Sequence, residues 1–134
     1  MFMLSMGPGM DMSFPDVCLT PVGPAPAPIP YPNTAMSAAT LPMVPNVLTE
    51  CTPTLNMMSK GLVSLGDQAG VLLGAASHIM SGQTSYEVGC FTIMVGGAPA
   101  QRLTSVTGQN CMAVVPNSVG ACIVPSEVTV LALG

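Results

Sequence analysis

The chain has 134 residues, enough for about one domain, and only 6% of them are charged. Lys60 and Arg102 are its two cations, too few to neutralise a phosphate backbone or to form a polybasic membrane patch, so nucleic acid and anionic membrane surfaces are excluded as partners. The six acids Asp11, Asp16, Glu50, Asp67, Glu87 and Glu127 leave a net charge of −4, while 49% of residues are hydrophobic, a balance that argues for burying much of the surface against a partner.

Stable membrane insertion is not expected. A spanning helix needs about 20 apolar residues in a row, and the best window, residues 61–80, contains Asp67, Gln68 and His78. Residues 1–14 carry Asp11 and no basic residue before the apolar part, so they do not read as a secretory signal, and folding in the cytoplasm is expected. Five cysteines in a reducing compartment read as thiols or metal ligands rather than as a disulfide framework.

Residues 1–14 hold five of the twelve methionines and the Gly7-Pro8-Gly9 run, and read as a flexible lead. Residues 15–53 carry ten of the fourteen prolines. Each proline fixes φ and lacks a donor, which excludes a helix or a central strand and predicts an extended, polyproline-like wrap. Ile29, Tyr31, Leu41, Met43 and Val44 interleave with the prolines and give that wrap something to bury. Residues 57–82 show apolar positions at helical spacing, but Gly66, Gly70 and Gly74 interrupt them, leaving one short helix or none. From residue 88 onward strands dominate. Phe91–Val95 leads into Gly96-Gly97, a hairpin signal, with a return strand expected over residues 101–106. Val114-Val115 precedes a Pro116-Asn117 turn, and Val128–Leu133 reads as a closing strand before Gly134. The fold class is therefore all-β with at most one short helix, and residues 15–134 form the domain.

Catalytic signatures are missing. His78 is the only histidine, and the sequence has no G-x-S-x-G, P-loop or H-E-x-x-H pattern, so no enzymatic activity is expected. Thiols and one imidazole suit zinc, although the paired C-x-x-C spacing is absent. Cys18, Cys51, Cys111 and Cys122 are each followed within five residues by proline, as turns at strand ends would be.

Four stretches, in order, resemble the PAAR-like spike-tip proteins of bacterial type VI secretion systems. They are Pro15-Asp16-Val17-Cys18-Leu19-Thr20-Pro21 leading to Pro28-Ile29-Pro30-Tyr31-Pro32-Asn33, then Gly66-Asp67-Gln68-Ala69-Gly70, then Val95-Gly96-Gly97-Ala98-Pro99-Ala100-Gln101-Arg102, and finally Pro125–Val130. The resemblance implies a small pointed cone of short strands, present as a monomer on the blunt end of a trimeric VgrG-type spike. There it sharpens the spike for puncture and can carry effector proteins. It implies assembly in the cytoplasm and then release through the apparatus into a target cell or the medium. Simpler members of the family hold zinc near the apex through histidines. With one histidine here, either cysteines substitute or the apex holds no metal. The expected site is one structural zinc on His78, Cys18, Cys111 and Cys122, with Cys51 and Cys90 competing for the fourth place. Alternative readings are a tip for another contractile, phage-tail-like particle, a small metal-dependent enzyme or toxin, and a Pro-rich adaptor.

Overall fold

In the computed structural model, which describes residues 1–112 and 115–133, the chain is almost entirely β. One eight-stranded antiparallel sheet curls into a half barrel. Its strands are β1 (Met10–Val22), β2 (Ala25–Met36), β3 (Thr40–Leu41), β6 (Lys60–Gly61), β7 (Ser64–Leu65), β8 (Gln83–Tyr86), β11 (Val106–Cys111) and β12 (Ser118–Val124). They lie in the order β3-β6-β8-β11-β12-β1-β2-β7. Two small hairpins stand beside it, β4 (Val44–Thr49) with β5 (Thr52–Thr54), and β9 (Cys90–Val95) with β10 (Ala98–Ala100). A single 3-10 turn, Ser37–Ala39, follows β2. Among the described residues no helix is long and apolar enough to cross a membrane.

The Pro-rich segment corrects one expectation. It is the second arm of a long hairpin, paired with β1 from Val22↔Ala25 to Asp16↔Tyr31, rather than a separate wrap. The prolines are tolerated because of which way each nitrogen faces. Leu19 exchanges backbone hydrogen bonds with Leu72 and Leu73, and Val17 accepts one from Ala75, so these β1 groups point away from β2. Their partners Pro28 and Pro30 then place their ring nitrogens on the open edge of β2, where the ladder needs no donor. That edge offers carbonyls but few N–H groups, which protects it from pairing with another strand.

Further expectations meet different outcomes. Gly96 and Gly97 have φ of +62° and +84°, so they form a two-residue turn. Ala98 therefore pairs at once with Val95, and the return strand is Ala98–Ala100, earlier than residues 101–106. Val128–Leu133 is not a strand. The Glu127 carboxylate accepts hydrogen bonds from the N–H groups of Thr129 and Val130 and turns the chain there, leaving one bridge between Phe2 and Leu131. Val115 bridges to Met112, while Val114 and Gly134 lie outside the described residues. The first residues pack into the domain, with Leu4 fully buried and bound through its backbone to Gln101 and Leu55.

The interior is mostly polar. Asn33, Gln101, Gln109, Asn110, Thr40, Thr54, Asp11 and Asp16 are all fully or almost fully buried. Among the described residues the buried apolar clusters are small, Leu4 with Leu55, Tyr86 and Cys122, and Met3 with Val95, Ala100 and Ala132, while Ala35, Ala98 and the thiols of Cys18, Cys90 and Cys111 are buried apart from them. Large apolar side chains such as Phe14, Leu48, Phe91, Val119 and Val128 face outward, each more than half exposed.

Candidate metal centre

Asp16 and Cys18 sit two residues apart on β1, so strand alternation sends both side chains to the same face. That face is covered by the loop after β7. Gly66 runs against the Pro32 carbonyl at φ +130°, and Gly70 runs against Cys18. A Cβ at either position would collide with these neighbours. The absent side chains let the Gly66-Asp67-Gln68-Ala69-Gly70 loop lie flat on the hairpin. Asp67 is thereby carried to Asp16 and Cys18, and one ligand atom from each of the three lies within 4.8 Å of the others. All three residues are buried.

A shell of side-chain amides surrounds the group. Asn110, at φ +53° on β11, donates through Nδ2 to Asp16 Oδ2 at 2.6 Å and to Asp67 Oδ2 at 2.5 Å. Its orientation is fixed from the other end, where Oδ1 accepts from Gly82 N–H at 2.6 Å and from the Ser64 hydroxyl at 3.0 Å. Asn33 Nδ2 donates to Asp16 Oδ2 at 2.8 Å. Asn117, just before β12, donates to Asp16 Oδ1 and to the Val17 carbonyl, while its Oδ1 accepts from Ala76 and Ser77. Ser81 supplies Asp67 with its N–H at 3.1 Å and its hydroxyl at 3.3 Å. The node thus joins four parts of the chain that are remote in sequence.

Electrostatics set the protonation. Burial pushes the Asp16 carboxyl up, with Asp67 adding to the rise, while the amides of Asn117, Asn33 and Asn110 pull it down. Cys18 is pushed up to about 12, first by burial and then by the two carboxylates beside it. Without a cation Cys18 is therefore a thiol, its Sγ lying 3.9 Å from Asp16 Oδ1 and 3.7 Å from Asp67 Oδ2. The donor set of two carboxylates and one sulfur can hold a metal ion.

The residues expected from sequence are not gathered in one place. Cys18 alone is in the node. Cys111 contacts the Ser85 hydroxyl at 3.1 Å and the Gly108 carbonyl at 3.1 Å. Cys122 belongs to the Leu4 cluster and points toward the Val124 carbonyl. His78 is exposed at φ +57° in the loop that rests on Asn117. Cys51 is exposed, Cys90 is buried near Arg102, and all five cysteines are free. Asp16 and Asp67 were missed as ligands although both stand in motifs that the sequence makes visible. The overlooked signal was the D-x-C spacing, together with the fact that zinc also accepts carboxylate oxygen.

Comparison with known proteins gives one family. The model of the family described as the toxin PAAR-like domain matches residues 9–116, which include Asp16, Cys18, Asp67 and Asn110. No curated protein and no solved structure matches the chain.

Proposed function

The chain belongs to the toxin PAAR-like domain family, and from that premise we propose that it is a non-enzymatic tip that caps and sharpens a trimeric VgrG-type spike of a type VI secretion system. In this role it aids membrane puncture and the delivery of effectors. The observation that carries the reading is the inversion of polarity. A polar interior carries a side-chain hydrogen-bond network around Asp16, Asp67 and Asn110, while Phe14, Leu48, Phe91, Val119 and Val128 are left to the outside. Apolar surface on this scale, with two cations in the whole chain, fits a protein that works against a partner. A rigid hydrogen-bonded body with short turns also suits a part that must transmit compression.

The chain is then a monomer on a threefold partner, assembled in the cytoplasm and released with the spike. A structural metal is part of the same reading, with zinc as the ion. The test is co-expression with a trimeric VgrG-type spike protein encoded nearby. The expected result is co-elution at one tip per three spike chains, measured by light scattering. A folded chain that forms its own homotrimer and ignores the spike overturns the reading.

A further inference from the structure

We propose that the free chain pairs with a second copy of itself through the outer face of the β1–β2 hairpin, in a two-fold dimer that covers this face when no other partner does. The inference concerns the chain alone in solution and does not depend on what the protein caps.

Strand alternation defines the face. Asp11, Ser13, Asp16 and Cys18 on β1, and Asn33 and Ala35 on β2, turn inward and are buried. The side chains between them turn outward, and the register sets them opposite one another. Met10 faces Met36, Met12 faces Thr34, Val17 faces Pro30, Leu19 faces Pro28 and Pro21 faces Pro26. Phe14 lies on the same side of β1 and is 61% exposed, while Met36 at one end of the hairpin is 48% exposed. The result is one continuous apolar band, about 40 Å long at the usual rise of a strand.

Nothing on the band resists burial. Residues 10–36 hold two charged side chains, Asp11 and Asp16, and both are on the buried face. The hydroxyl of Thr34 already donates to the Leu65 carbonyl at 3.1 Å. The prolines lose no side-chain entropy on burial and have no N–H to desolvate. Their missing donors also stop a second molecule from adding a strand to the β2 edge, so association proceeds by packing side chains against the band.

Area and charge favour a second copy as the occupant. The exposed parts of these side chains come to on the order of 700 Å², close to the roughly 800 Å² that each partner buries in a standard interface, and a two-fold axis supplies both halves from one surface. The chain carries a net charge of −4, so two copies repel wherever their acids meet. Glu50, Glu87 and Glu127 lie outside β1 and β2, and Asp67 is buried in the loop after β7. The band is therefore a face on which two copies touch without bringing like charges together. Because the sheet curls across its strands, the contact runs along the hairpin. A two-fold axis near the middle of β1 brings the two Phe14 rings close to each other.

The test is sedimentation equilibrium of the purified full chain, with no spike protein present, at concentrations up to about 200 µM. Expected is a reversible monomer–dimer equilibrium with a Kd on the order of 10 µM. Phe14→Glu sets two carboxylates near the axis and should weaken the dimer about 100-fold, and Met36→Glu should weaken it about tenfold. Both positions are exposed, and an unchanged far-ultraviolet spectrum checks that the fold is kept. Phe91→Glu changes an equally exposed ring on the β9–β10 hairpin and should leave the dimer intact. A wild-type chain that stays monomeric up to about 200 µM overturns the proposal and leaves the band to a different protein. A trimer overturns it too, as does a dimer that Phe91→Glu breaks and Phe14→Glu does not. A chain that dimerises as expected but ignores the spike upholds this proposal and overturns only the capping role.

Discussion

The node around Asn110 and the cluster around Leu4 and Leu55 are both fully buried, yet they hold the fold in different ways. Leu4 and Leu55 fill volume beside Tyr86 and Cys122, and dispersion and burial are tolerant of small rearrangements. Asn110 uses each polar atom of its carboxamide twice, toward Asp16 and Asp67 on one side and toward Gly82 and Ser64 on the other. A hydrogen-bonded interior gains little net energy per bond, but every member becomes costly once a partner is lost. In a chain with few buried large aliphatics, the polar node rather than the apolar cluster specifies how the hairpin, the loop and the sheet meet.

Two substitutions measure that difference. Asn110→Ala leaves two carboxylates, the Gly82 N–H and the Ser64 hydroxyl without this partner, and should cost about 4 kcal/mol of unfolding free energy. Leu55→Ala deletes one aliphatic side chain from a small cluster and should cost about 3 kcal/mol. Denaturant melts of both variants in chelator, where no metal obscures the comparison, rank the two regions. If Leu55→Ala proves the more damaging, the apolar cluster and not the polar node is the organising core.

The sequence discloses these regions unequally. Strand chemistry is local, so the Gly96-Gly97 turn and the all-β class can be read from short windows. The four family stretches could also be read, and Asp16, Cys18 and Asp67 all stand inside them. The meeting of those residues could not be read, because it depends on a fit between Gly70 and Cys18 across more than fifty positions. The polar interior was hidden for a related reason. Apolar content normally marks a core, so Phe91, Val119 and Val128 invite burial, whereas here the buried places go to Asn33, Gln109 and Asn110. Proline gave a misleading signal in residues 25–36. Its missing donor argues against pairing only until the direction of each nitrogen along an edge strand is known.

Asp11 lies on β1 against Tyr86 and Cys122 of the apolar cluster, and it yields the smallest and most specific of the expected effects. Like Asp16 it is a buried aspartate on β1, but it has far fewer donors. The Tyr86 hydroxyl donates to its Oδ2 at 3.0 Å, and its Oδ1 has no partner. Burial pushes its carboxyl up to about 6, against an ordinary value of 3.8, with Tyr86 and Cys122 pulling it back only in part. The folded protein therefore holds this proton more tightly than the unfolded chain does. Its contribution to stability is complete below about 3.8 and is lost as pH rises through about 6. Between pH 7.5 and pH 5 this residue should add on the order of 1–2 kcal/mol. Asp11→Asn keeps an acceptor for Tyr86 and removes the titration. Melting temperature measured across that range should rise on acidification more steeply in the wild-type protein than in the variant. Parallel curves would mean that Asp11 is solvated in the folded state, and that the polar edge of the apolar cluster is wetter than the packing of Tyr86 and Cys122 implies.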